Sequence, residues 1–205
     1  LLASDECYAE LGWGQWSEKV IPSVLDPRVC GNSHHGVMAL YSLSKQSNMA
    51  GYRAAFAVGE AELIKGLVNI RMHAGLNTPG PVQRAMAVAL GDEEHVRIEK
   101  EIYRERREIL LAAVRAYGFS LSESEAGLYL WATLGEDCWK TVDRMAQLGI
   151  IVAPGIFYGE SSKDFVRFSI TATDDKIAEG ARRLHDAIGL SLSLIHISEP
   201  TRLRR

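Results

Sequence analysis

The residues best suited to chemistry cluster in one stretch, Tyr41-Ser42-Leu43-Ser44-Lys45-Gln46-Ser47-Asn48-Met49-Ala50-Gly51-Tyr52-Arg53. The apolar run 36–42 (GVMALYS) that leads into it reads as a buried strand, so Lys45 is delivered to a strand's carboxyl end. A second cation, Arg53, returns after the turn at Gly51. Open α/β sheets bind ligands beyond the carboxyl ends of their strands. A lysine placed there, partly desolvated and near another cation, can lose its proton and act as an imine-forming nucleophile. A lone lysine after a strand is more often a solvated surface group, so the assignment needs partners.

Ser42-x-x-Lys45 also fits the S-x-x-K pattern of penicillin-binding serine enzymes, which carry SDN-type and KTG-type triplets as well. The chain offers only Ser47-Asn48 and Lys140-Thr141-Val142, and that chemistry fails. None of the histidines has ligand spacing, and Cys7, Cys30 and Cys138 are scattered without a CxxC, so no metal is implied. That cysteine usage fits a reduced, cytoplasmic protein. Lys plus Arg number 23 against 26 Asp plus Glu, a net charge of −3, which supplies no broad basic field for nucleic acid. No apolar run approaches the roughly 18 residues of a membrane span.

The elements that must position these residues follow from periodicity. Strands are predicted at 1–5, 36–42 and 53–58, with a short helix or turn in the segment of Trp13, Trp16 and Pro22. Helices are predicted at 60–72 and, after the breaker Asn77-Thr78-Pro79-Gly80-Pro81, at 82–90. Asp92 caps a long charged helix that Gly118 stops near Tyr117. A smaller α+β pattern follows: strand 127–134, helix 136–148, strand 150–152, a loop at Ala153-Pro154-Gly155, strand 165–170 and helix 174–188.

Three segments resemble, in order, the fold-type I pyridoxal-phosphate-dependent aminotransferases of class I/II. SLSKQSNMAGYR resembles the lysine segment, Ser4-Asp5-Glu6-Cys7-Tyr8 the D-x-x-Y strand end, and Val166-Arg167-Phe168-Ser169 the arginine strand near the C-terminus. The resemblance implies an α/β fold: the C-terminal part of the PLP-transferase type I large domain, a mainly parallel sheet with helices (1–92), then an interdomain helix and a small α+β C-terminal domain (93–189). It also implies the cofactor pyridoxal 5′-phosphate and a role for each matching residue. Lys45 would carry the cofactor and shuttle the proton. Asp5 would face the pyridine nitrogen, and Tyr8 the ring oxygen. Ser42 and Arg53 would anchor the phosphate, and Arg167 would grip the substrate α-carboxylate. Relatives are two-fold dimers, so a homodimer is implied for the parent protein.

SDECYAELGW, RMHAGLNTPGPVQRAM, EAGLYLWATLGEDC and FSITATDD resemble, within that family, the succinyldiaminopimelate aminotransferases of actinobacterial type. The implied reaction exchanges an amino group between N-succinyl-L,L-diaminopimelate and 2-oxoglutarate in lysine biosynthesis. A PLP-dependent C–S lyase, another class I/II aminotransferase, or the aminotransferase-like sensor domain of a transcription regulator would share the same residues. Leu1–Asp5 reads as a buried strand needing neighbours on both sides, and LSLIHISEPTR (192–202) resembles a translated sequencing adapter, so 190–205 is read as a non-native tail. A fragment of this kind is expected to hold cofactor poorly on its own.

Overall fold

The lysine stretch is framed by three short strands. In the computed structural model, which describes residues 1–75 and 77–197, the chain forms two compact units. One is Leu1–Ile102 with Glu125–Gly127; the other is Tyr103–Ser124 with the chain from Leu128 on. The sequence reading puts the domain boundary between residues 92 and 93, and the units exchange a little further on, inside the long helix.

In the first unit the strands are β1 (Leu2–Asp5), β2 (Val37–Ser42) and β3 (Ala55–Gly59), in the order β1-β2-β3. β1 and β2 are parallel, with Asp5 opposite Leu40, whereas β2 and β3 are antiparallel, with Ser42 opposite Ala55. Among the described residues the parallel pairing expected from the resemblance is that of β1 with β2. This topology brings the segment after β1, the loop after β2 and the residues entering β3 to one edge of the sheet. β1 pairs with β2 alone among the described residues, and Leu2 is 54% exposed. Gly59 is fixed by crowding, because a Cβ there would fall 2.4 Å from the Val37 carbonyl oxygen.

The connection from β1 to β2 contains the expected short elements. There is a 3-10 turn at Gly14–Trp16, and α1 (Pro27–Cys30) is capped by Asp26, whose carboxylate accepts the Arg28 N–H at 2.8 Å. Trp13 is buried, and its Nε1–H donates to the Gly127 carbonyl at 2.6 Å, which fastens residues 125–127 to this unit. α2 (Ala61–Ala74) and α3 (Gly80–Leu90) follow β3. Leu43 and Ala54, at either end of the lysine loop, are buried with Met86 of α3, and Tyr41, Phe56 and Val82 pack around them. Burial at both ends sets the path of the loop between. α4 (Glu93–Tyr117) opens as predicted, with Asp92 Oδ1 accepting the N–H groups of Glu94 (3.1 Å) and His95 (3.4 Å).

The second unit is built on β4 (Ser120–Leu121), β5 (Tyr129–Thr133), β6 (Ala153–Pro154) and β7 (Val166–Ser169). All pairs are antiparallel in the order β4-β5-β7-β6. α5 (Cys138–Gln147) lies against β6 and β7. Strand alternation sorts the side chains: Leu130, Ala132, Val166 and Phe168 are buried, while Tyr129, Trp131 and Arg167 take the other face and are only partly covered.

Four details depart from the sequence reading. No strand forms at 150–152, where Ile150 finishes α5 instead, and the loop expected at 153–155 contributes strand β6 at Ala153–Pro154. The Ile150 N–H donates to the Met145 carbonyl at 2.9 Å, Gly149 has φ 67°, and Ile151 is 97% exposed. β4 was not anticipated from sequence. The last helix, α6 (Asp174–Ile197), runs past its predicted close near residue 189. After Gly189 the chain offers no breaker before Pro200. Of the segment read as a non-native tail, residues 198–205 lie outside the described residues.

Candidate active site

At the shared edge of β1, β2 and β3 lies a cleft of about 310 Å³ whose lining includes Asp5, Cys7, Ser42, Ser44, Lys45 and Arg53. Each arrives from a different point of the topology. Asp5 is the last residue of β1 and Ser42 the last of β2; Lys45 stands in the loop that follows, and Arg53 ends the 3-10 turn Ala50–Tyr52 just before β3.

Local hydrogen bonds fix the polar groups. Asp5 Oδ1 accepts the Cys7 N–H at 3.2 Å, an Asx-type turn that holds the carboxylate at the strand end. The Ser42 and Ser44 hydroxyls are 2.6 Å apart, Ser42 Oγ also donates to the Ala54 carbonyl at 3.2 Å, and the Ser44 N–H donates to Ser42 Oγ at 3.2 Å. Gln46 is buried and accepts the Tyr41 hydroxyl, tying the loop back to β2. Burial, with Glu10 and Glu6 nearby, pushes the Tyr41 phenol up to about 12.

Arg53 sits at φ 51°, ψ 44°, a left-handed conformation that a non-glycine residue adopts at a cost of roughly 1–2 kcal/mol. The turn thus carries strain at the one position that presents a guanidinium to the cleft. Tyr8 is placed beside the lysine rather than in the lining, with Lys45 Nζ 6.0 Å from the centre of its ring. Cys7 is a lining residue the sequence reading passed over. Its signal was available, since it occupies the turn between Asp5 and Tyr8. Burial, reinforced by Asp5, pushes its thiol up to about 11, so it is a neutral group at physiological pH.

Arg167 belongs to the second unit, on β7 opposite Trp131 of β5. Its guanidinium carbon lies 4.0 Å from the centre of the Tyr129 ring and 5.4 Å from that of Tyr158. Its Nε is buried without a hydrogen-bond partner, and Arg167 makes no ion pair among the described residues. An unmet buried donor costs about 1–3 kcal/mol, which an incoming planar anion would offset. No group of three or more His, Cys, Asp or Glu suited to a metal is present among the described residues.

The donor set in the cleft has a specific complement. An amine takes an aldehyde, a carboxylate faces a protonated ring nitrogen, and hydroxyls with a guanidinium take a phosphate. Together they suit the class of α/β enzymes that hold pyridoxal phosphate. Residues 1–184 match the family model Aminotransferase class I and II, and the chain belongs to that family, whose members use pyridoxal phosphate.

The chain is 50% identical over 184 residues to the 4-dedimethylamino-4-oxo-anhydrotetracycline transaminase OxyQ of Streptomyces rimosus, covering 90% of this chain and 50% of that protein. It is also 50% identical over 184 residues to the "Probable aminotransferase Rv1178" of Mycobacterium tuberculosis, covering 90% of this chain and 43% of that one. Among solved structures, the "probable N-succinyldiaminopimelate aminotransferase" of Thermus thermophilus superposes with a TM-score of 0.78 at 30% identity, over 91% of this chain and 49% of that chain. The chain therefore spans about half the length of the relatives it matches. No helix among the described residues is long and apolar enough to cross a membrane.

Proposed function

We propose that the protein of which this chain is part is a pyridoxal-phosphate-dependent aminotransferase, and that the residues at the β1–β2–β3 edge are its cofactor site. The observation that carries this reading is the meeting of Asp5, Ser42, Lys45 and Arg53 around one cleft. Lys45 holds the cofactor through its amine and is the base that moves the proton of the substrate α-carbon. Asp5, held by the Cys7 N–H, would keep a proton on the pyridine nitrogen of the bound cofactor, and the Tyr8 phenol would supply a hydrogen bond to its ring oxygen. Ser42 and Arg53 take the phosphate, the one through its hydroxyl and the other through its guanidinium fork. Arg167 takes the substrate α-carboxylate. Bound pyridoxal phosphate supplies an electron sink for the charge that develops at the α-carbon.

The substrate pair we assign is N-succinyl-L,L-diaminopimelate and 2-oxoglutarate, within lysine biosynthesis, and the working protein is a homodimer. The motifs outside the shared chemistry support this assignment, as does the name of the Thermus neighbour. A second reading rests on OxyQ, whose name specifies a 4-oxo-anhydrotetracycline acceptor, at 50% identity. The test is to express the complete reading frame with cofactor and measure glutamate formed from N-succinyl-L,L-diaminopimelate and 2-oxoglutarate. Lys45→Ala should abolish it. Transfer from glutamate to a polycyclic ketone, with none between the diaminopimelate pair, would instead establish the second reading.

A further inference from the structure

We infer that Tyr129 and Tyr158 are positioning residues that hold the Arg167 guanidinium by its faces, leaving its N–H fork for a substrate carboxylate. The inference rests on the reading of Arg167 as the carboxylate group and asks how that group is kept both oriented and charged. Arginines are commonly fixed by an acidic neighbour, but an internal carboxylate would occupy the same donors the substrate needs and cancel the charge that attracts it. Aromatic faces avoid both problems, because the ring quadrupole attracts the cation without accepting its N–H groups in the guanidinium plane. The second unit shows this arrangement. Arg167 makes no ion pair among the described residues and keeps a buried Nε unmet, yet lies 4.0 Å from the centre of one ring and 5.4 Å from that of another.

Fold and sequence fix both rings. Arg167 is directly opposite Trp131 in the β5–β7 ladder, so Tyr129, two residues before Trp131 on the same face, is its diagonal neighbour. Tyr158 ends the 3-10 turn Gly155–Tyr158. That turn starts at a residue that admits no side chain, since a Cβ on Gly155 would fall 2.0 Å from the Ser162 carbonyl oxygen. Behind Tyr158, Trp131 meets its ring edge-on at 5.3 Å and stacks on Phe165 at 5.6 Å. The ligand this clamp suits is a planar monoanion, the α-carboxylate shared by amino acids and 2-oxo acids, and not a ketone lacking one.

The experiment uses the full-length, cofactor-loaded protein and reads calorimetric binding of 2-oxoglutarate alongside the KM and kcat of transfer. Tyr158→Leu and Tyr129→Leu should each weaken 2-oxoglutarate binding and raise KM by about tenfold while leaving kcat within about twofold. Tyr158→Phe and Tyr129→Phe, which keep the ring, should bind as the wild type does. Unchanged binding in the Leu variants, or losses in the Phe variants as large as in the Leu ones, would overturn the inference. Arg167→Ala is the companion measurement. If it loses carboxylate binding while the Leu variants do not, the clamp alone is wrong; if it too binds normally, the assignment of Arg167 falls with it. Tyr158 is half exposed, so its Leu and Phe variants decide the matter even if Tyr129→Leu fails to fold.

Discussion

Arg53 offers a prediction in which stability and function move in opposite directions. It holds φ 51° and ψ 44° at the end of the 3-10 turn, where a Cβ-bearing residue is strained and glycine is not. Arg53→Ala keeps the strain and removes the guanidinium; Arg53→Gly removes both. Each variant loses the same exposed hydrogen bond from Nη1 to the Ala50 carbonyl (3.1 Å), so that loss cancels between them. Relief of about 1–2 kcal/mol of left-handed strain, less roughly 0.4–1 kcal/mol for the extra freedom of glycine in the unfolded chain, leaves Gly ahead of Ala by about 1 kcal/mol. Both variants lose charge-assisted bonds worth about 1.5–3 kcal/mol to a phosphate, an affinity loss of about 10- to 100-fold. Urea denaturation of the cofactor-free parent protein measures the first difference, and equilibrium titration with pyridoxal phosphate the second. Equal stability of the two variants would refute the strain argument, and full cofactor affinity in either would refute the phosphate role.

Three further outcomes follow from single contacts. With its thiol pushed up to about 11, Cys7 should alkylate slowly at pH 8 and accelerate only as pH approaches that value; rapid labelling at pH 8 would mean Asp5 and burial do not act on it as described. Glu60 is held below the usual carboxylate range by the Gly36 N–H (2.8 Å) and by His35, so its contribution is present above the unfolded carboxylate range and lost as pH falls through the lowered folded value. The protection factor of the Gly36 amide against hydrogen exchange should therefore fall on acidification, and Glu60→Gln should remove most of that pH dependence. Leu130, fully buried on β5, should cost about 3–4 kcal/mol when changed to Ala, seen as a lower denaturation midpoint, whereas exposed Ile151→Ala should be nearly neutral.

Much of the site was legible because its positions combine chemistry with a structural signal. Lys45 follows a continuous apolar strand, Asp5 ends one, and Arg167 alternates with buried Val166 and Phe168. Cys7 was not singled out, since a thiol in a turn carries no pattern until its neighbours are placed around a cleft. The rings on Arg167 were equally hidden. Tyr129 depends on the β5–β7 register and Tyr158 on a short turn, neither of which leaves a periodic trace. The 150–152 misreading has a similar cause: apolar residues after a helix can serve its C-cap as readily as a strand, and the Ile150 bond to Met145 is what separates the two.

Borohydride reduction of the full-length, cofactor-loaded protein, followed by peptide mass spectrometry, tests whether Lys45 is the residue that holds pyridoxal phosphate. One pyridoxyl-phosphate mass is expected, on the peptide containing Lys45, and none in Lys45→Ala. An active protein carrying that mass on a different lysine would overturn the role given to Lys45.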